Sequence, residues 1–124
     1  MTTVSDLMST DVRTLYPESK MAEAWKLMHD HRIRHIPICK GDKLVGLVTQ
    51  KDLLVNAQNQ SLLSLPVAEV MVFSLDTTTS TEDSASAAGK MLEKKISCLP
   101  VVDDDKLVGI LTDSDFLQVI AAGS

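Results

Sequence analysis

Apolar residues in this chain follow two spacings, and each predicts its own element. Short unbroken runs, Ile36-Pro37-Ile38-Cys39, Leu44 to Val48, Leu99 to Val102 and Leu107 to Leu111, are too short for helices and predict strands. Met21, Ala24, Trp25 and Met28 stand at i, i+3, i+4 and i+7, one face of a helix opened by Pro17-Glu18-Ser19. That helix ends before Ile36, because Pro37 disfavours helix in the residue ahead of it. Pro37 also places its strand near an edge or at a strand start. Ser80-Thr81-Glu82-Asp83 starts a second helix whose predicted face is Ala85, Ala88 and Leu92. Val4 to Met8 predicts a single helical turn, Thr10 to Leu15 and Ser74 to Thr78 short strands, and Gln50 to about Gln58 and Ser114 to Ala121 closing helices. Lys40-Gly41-Asp42-Lys43 and the acidic Asp103-Asp104-Asp105 supply hairpin turns. Asn56 to Pro66 is a polar connection.

The elements recur. Lys43-Leu44-Val45-Gly46-Leu47-Val48-Thr49-Gln50-Lys51-Asp52-Leu53-Leu54 returns 63 positions later as Lys106-Leu107-Val108-Gly109-Ile110-Leu111-Thr112-Asp113-Ser114-Asp115-Phe116-Leu117. At the same offset Ile33 to Ile38 pairs with Ile96 to Val101, Met28 with Met91, Ala24 with Ala87, and Asp6-Leu7-Met8 with Glu69-Val70-Met71. Two copies are too few for a solenoid, which needs about three or more. They imply a pseudo-symmetric pair, residues 1–60 and 61–124.

The pattern apolar-x-x-apolar-Pro-apolar, a short gap, then Gly-x-x-Thr-x-x-Asp, present twice in one gapless register from Val4 to Ala121, resembles a tandem pair of CBS domains, the Bateman module. The resemblance implies an α/β (α+β) fold of two repeats, each a small, mostly three-stranded sheet with packed helices. It implies a non-catalytic regulatory module that binds an adenosine nucleotide, AMP, ADP or ATP, in clefts between the repeats, with an S-adenosyl compound as a further candidate. Energy sensing, transmission of the signal to a separate regulated protein and a homodimer follow from the same resemblance. For the dimer the candidate contacts are Trp25, Leu27, Phe116, Val119 and Ile120. The competing reading is a ligand-free CBS pair that serves interaction or dimerisation.

Thr49/Asp52 and Thr112/Asp115 admit two readings from the residues. Each is a capping box, Thr at the N-cap and Asp at N3, which stabilises a helix start by roughly 1 kcal/mol. Each is also a helix N-terminus reached from a Gly-containing strand, where an anion is favoured. The resemblance adds composite sites. In the first, Thr112 and Asp115 face Thr10, Asp11, Val12, Arg34, His35, Ile36 and Pro37. In the second, Thr49 and Asp52 face Phe73, Ser74, Leu75, Ser97, Cys98, Leu99 and Pro100. Thr would meet a phosphate, Asp the ribose hydroxyls, apolar side chains would sandwich the adenine, and backbone beside Pro37 or Pro100 would read its edge. Arg34 and His35 make the first site the expected tighter one, against the counter-indication of Lys51 in the second and Asp113 in the first.

Charge and composition narrow the alternatives. A formal net charge of −5 argues against a nucleic-acid polymer or an anionic membrane surface as partner. No run approaches the 18 or so apolar residues of a membrane span, and the N-terminus lacks the features of a signal peptide. Cys39 and Cys98 form no Cys-x-x-Cys motif and read as reduced thiols of a cytoplasmic protein. His29, His31 and His35 lack acidic or Cys partners at ligand spacing, so no metal is expected. No Gly-x-Ser-x-Gly or Walker-type phosphate loop is present, so neither a catalytic site nor a catalytic cofactor is expected.

Overall fold

The computed structural model describes residues 2–57 and 60–123. Each half of the sequence contributes one helix, one β-hairpin and one closing helix. In the first half, α1 (Val4–Leu7) is a single turn, followed by α2 (Met21–His31), β1 (His35–Lys40), β2 (Lys43–Thr49) and α3 (Gln50–Ala57). In the second, a 3-10 turn (Val67–Glu69) takes the place of α1, followed by α4 (Ser84–Lys94), β3 (Cys98–Asp103), β4 (Lys106–Thr112) and α5 (Asp113–Gly123). Gln58, at the expected end of α3, lies outside the described residues.

Each hairpin is antiparallel, with Pro37 opposite Leu47 and Pro100 opposite Ile110, and each carries a register shift at the equivalent place, Ile38/Cys39 and Val101/Val102. Positive φ closes both turns, at Gly41 in the first and at Asp104 and Asp105 in the second; short polar side chains tolerate that region. Both long helices end on a left-handed residue, Arg32 and Lys95, where Ile33 N–H meets the Met28 carbonyl (3.1 Å) and Ile96 N–H the Met91 carbonyl (3.0 Å).

The expected third strand is reduced to one bridging residue per hairpin. Leu15 donates to the Pro37 carbonyl (3.2 Å) and accepts from Cys39 N–H (2.9 Å). Thr78 does the same with Pro100 (3.0 Å) and Val102 (2.8 Å). A parallel ladder continued towards the N-terminus would next need N–H groups from Pro37 and Pro100, which have none. Neither proline is at a strand start: each is the third residue of its strand, wholly buried. A second correction concerns α4. Its buried residues are Ala87 and Met91, the counterparts of Ala24 and Met28, whereas Ala85 is exposed and Leu92 is 80% exposed. The apolar character of Leu92 drew the predicted face to the wrong side of the helix. α2 likewise starts at Met21, with Pro17–Ser19 forming the turn before it.

The chain folds as two compact units. Arg13–Leu75 is a continuous unit; Met1–Val12 with Asp76–Ser124 is a two-segment unit. The continuous unit has a core of Met21, Ala24, Met28, Ile36, Ile38, Val48, Leu53 and Val67. Val4, Ala87, Met91, Leu99, Val101 and Leu111 form the core of the two-segment unit. The segments that open the two sequence repeats are thus exchanged. Val4, Leu7 and Met8 pack with the second hairpin, and their counterparts Val67, Val70 and Met71 with the first. Met71 lies so close over Gly46 that an added Cβ would come within 2.6 Å of its sulfur; Met8 lies over Gly109 at 2.7 Å. A main-chain bridge follows each methionine, Val72 to Leu47 and Ser9 to Ile110.

Candidate functional site

In each hairpin the inner strand runs into its closing helix without a loop. Thr49 is the last residue of β2 and Asp52 the third of α3; Thr112 and Asp115 stand likewise in β4 and α5. Asp52 Oδ2 accepts from Thr49 N–H (3.1 Å) and the Thr49 hydroxyl (2.8 Å), and Asp52 N–H reaches back to that hydroxyl at 3.3 Å. Asp115 Oδ2 accepts from Thr112 N–H (2.8 Å) and the Thr112 hydroxyl (3.3 Å). The helix start is tied to the outer strand as well: Gln50 N–H donates to the Arg34 carbonyl (2.8 Å) and Asp113 N–H to the Ser97 carbonyl (3.1 Å). The reciprocal capping box is thus complete at Thr49/Asp52, whereas at Thr112/Asp115 only the Asp half of it is made. The same device holds α1, where Thr3 N–H donates to Asp6 (2.8 Å) and holds its carboxyl below the usual range. Thr-x-x-Asp alone thus does not mark a ligand site.

The two-segment unit contains Thr112 and Asp115 together with Thr10, Asp11 and Val12, which follow the Ser9–Ile110 bridge; Ser97, Cys98, Leu99 and Pro100 are also in it. In the continuous unit, Thr49 and Asp52 are accompanied by Phe73, Ser74 and Leu75, which follow the Val72–Leu47 bridge, and by Arg34, His35, Ile36 and Pro37. Within each unit the outer strand begins beside the motif, with His35 opposite Thr49 and Cys98 opposite Thr112. Thr10, Asp11, Arg34, Phe73 and Ser74 are exposed, and Val12, His35, Leu75 and Ser97 half-buried. Ile36, Pro37, Leu99 and Pro100 are fully buried, so their main chain, rather than their side chains, is what they can offer a ligand.

Asp115 is 8% exposed, and a third donor reaches it: the Ser9 hydroxyl, 3.4 Å from Oδ1. Sequence reading missed Ser9. The available signal was its place directly after Met8, which the 63-residue offset equates with Met71-Val72. Cys98, buried beside this end, has its thiol pushed up to about 12 by burial and by the charges of Asp113 and Asp115. Burial, with Asp42 nearby, raises the Cys39 thiol too. Both thiols are free and protonated at neutral pH, which suits packing and not nucleophilic attack. His29 and His31 are exposed on the last turn of α2. Among the described residues no group of three or more His, Cys, Asp or Glu is placed to hold a metal. Nor is any helix there long and apolar enough to cross a membrane. In the acidic hairpin Asp104 and Asp105 are exposed, while Asp103 accepts from both the N–H and the hydroxyl of Ser80.

The CBS domain family model matches residues 4–58 and again residues 67–122. The chain belongs to the CBS domain family. AcuB from Vibrio cholerae shares the fold at a TM-score of 0.90 and 38% identity, with 98% of this chain and 92% of that one covered. The CBS domain pair of protein MJ0100, solved in complex with 5′-methylthioadenosine and S-adenosyl-L-methionine, matches at 0.89 and 30%, over 100% and 99%. CBSX2, solved in complex with AMP, matches at 0.88 and 28%, over 98% of both chains. Among curated proteins, the homoserine O-acetyltransferase of Methanohalobium evestigatum is 36% identical over 121 residues. This CBS pair covers 96% of its own length in that match but only 24% of the transferase. The match thus lies with a side portion of a larger protein.

Proposed function

We propose that this CBS pair is a non-catalytic sensor that binds an adenosine compound at its Thr-x-x-Asp helix starts and passes the signal to a separate protein. The observation that carries the reading is the twin arrangement itself. Two helix N-termini stand 63 residues apart, each with a Thr hydroxyl and an Asp carboxylate held at the strand end. An amide-rich helix start favours a phosphate, and a carboxylate accepts two ribose hydroxyls. Complexes of related CBS pairs with AMP and with S-adenosyl compounds support this ligand class. The residues named for the two sites are part of the proposal. They are Thr10, Asp11, Val12, Arg34, His35, Ile36, Pro37, Thr49, Asp52, Ser74, Ser97, Cys98, Leu99, Pro100, Thr112 and Asp115.

The test is calorimetry and thermal melting with AMP, ATP, S-adenosyl-L-methionine and 5′-methylthioadenosine, on the chain and on Asp115→Ala and Asp52→Ala. A ligand at about 100 times its Kd adds about 2.7 kcal/mol, or roughly ten degrees in Tm for a chain of this size. Asp115→Ala is expected to remove the tighter event, and Asp52→Ala the weaker. Capping alone predicts a stability loss of about 1 kcal/mol in each variant and no ligand effect in either.

One observation favours the ligand-free dimerisation module as second reading. Of the dimer candidates, Val119 and Ile120 are exposed along α5, as is their neighbour Leu117, whereas Trp25, Leu27 and Phe116 pack against the cores of their own units. Light scattering at twice the 13.5 kDa chain mass, without any nucleotide effect on melting, would select it.

A further inference from the structure

The two Asp ends differ at a position that the family pattern does not name. Ser9 is fixed on β4 by two main-chain bonds, its N–H to the Ile110 carbonyl (2.9 Å) and Ile110 N–H to its own carbonyl (3.0 Å). Met8, immediately before it, lies over Gly109. The Ser9 hydroxyl therefore projects from a held main chain, and it reaches Asp115 Oδ1 at 3.4 Å. The equivalent residue of the other repeat, bridged to Leu47, is Val72, which has no hydroxyl.

We infer that Ser9 is a positioning residue that orients the Asp115 carboxylate for a vicinal diol, the ribose edge of a nucleotide. The inference rests on the nucleotide reading above. An ionised carboxylate has about four acceptor directions, two on each oxygen. Thr112 N–H takes one on Oδ2 at 2.8 Å, and the Thr112 hydroxyl a second at 3.3 Å. When that hydroxyl turns to a phosphate, each oxygen keeps one protein donor: the Thr112 amide on Oδ2 and the Ser9 hydroxyl on Oδ1. One open direction then remains on each oxygen, the pattern a pair of neighbouring hydroxyls needs. With both oxygens tied, the carboxylate plane is set before the ligand arrives, which removes an ordering cost of binding. A bond of 3.4 Å is long for O–H···O, and bonds of this kind shorten when the ligand completes the site.

The experiment compares AMP with 2′,3′-dideoxy-AMP, which lacks the diol, by calorimetry. It uses the Asp52→Ala chain, so that the Asp115 end is read, and is repeated with Asp52 intact. Ser9→Ala is expected to weaken AMP binding by about three- to tenfold, the worth of one hydrogen bond, and to leave the dideoxy compound nearly unchanged. Ser9→Thr, which keeps the hydroxyl, is expected to restore the preference for the diol. Ser9 is exposed and its bridge is main-chain, so a merely structural role would move Tm without moving the AMP-to-dideoxy ratio. AMP binding that Ser9→Ala leaves unaltered overturns the role of Ser9 alone. A chain that takes up no adenosine compound overturns the nucleotide reading, and this inference with it.

Discussion

The two repeats fill one structural position in opposite ways. In the continuous unit Leu15, the bridging residue beside β1, and Leu27 on α2 are partly buried against the core, and Ser19 lies in the turn before the helix. Sixty-three residues later the same three places hold Thr78, Lys90 and Glu82. Buried Thr78 donates its hydroxyl to Glu82 Oε1. Lys90 reaches the same oxygen (3.0 Å) and the Thr77 carbonyl (3.1 Å), and Ser86 donates to Oε2 (2.9 Å). Geometry is shared, since Leu15 and Thr78 make the same pair of main-chain bonds. What differs is the chemistry that seals the joint between helix and sheet. Apolar contact there needs only shape, whereas the polar cluster works only when all its members are present. No buried side-chain nitrogen or oxygen among the described residues lacks a partner, so the cluster is complete as it stands.

The largest separation between the units should come from the glycines under the methionines. At Gly46 the three atoms nearest to an added methyl all belong to the Met71 side chain, which can bend away. At Gly109 it meets Met8 and also the Ser9 carbonyl at 2.9 Å, main chain that the Ile110 bridge holds in place. Overpacking costs about 1–3 kcal/mol. Gly109→Ala is expected near the top of that range and Gly46→Ala near the bottom, measured by urea unfolding. Equal losses would show that the two seats are equally soft.

A smaller effect tests the polar cluster itself. Glu82→Ala leaves buried Thr78 and Lys90 without their main acceptor and should cost about 1–2 kcal/mol. The combined change Thr78→Leu, Glu82→Ser and Lys90→Leu writes the first repeat's solution into the second. It should come within about 1 kcal/mol of the starting chain, because removing all partners leaves none stranded. A triple variant less stable than Glu82→Ala would mean that the two repeats do not share one joint.

The smallest effect is acid sensitivity. The Thr78 hydroxyl first, with Lys90 and Ser86, holds the Glu82 carboxyl below its ordinary 4.5. The Ser80 hydroxyl and N–H hold Asp103 below its ordinary 3.8, and Thr3 holds Asp6 down likewise. All three lie in the two-segment unit. A carboxyl whose folded pKa is depressed contributes stability that is complete above its unfolded value and is lost as pH falls through the folded one. Amide exchange followed from pH 6 to about pH 3 should therefore show α4 and β3 losing protection as the pH drops below about 4.5, ahead of α2 and β1. Glu82→Gln should flatten that slope. Simultaneous loss in both units would remove the distinction.

Much of this molecule was legible in one dimension because its repeat is local. A strand ending in Thr, a helix capped three residues before Asp and a hairpin at Gly41 or Asp104 are each specified by neighbours in sequence, and the 63-residue echo duplicates them. Capping and turn chemistry act over three or four residues, so a pattern suffices to read them. The third strand was over-read, although the signal against it, a proline at the place where the ladder needs an N–H, was already in the chain. The α4 face was misread because small and apolar residues lie on more than one side of that helix, and only the cores show which side is covered. The exchange of Val4–Met8 for Val67–Met71 and the approach of Ser9 to Asp115, 106 positions away, join residues that no local rule connects. Burial of apolar surface is non-directional, and any matching face satisfies it. Which segment fills which core is thus decided by the closed tertiary packing, and with it which hydroxyl comes to lie beside Asp115.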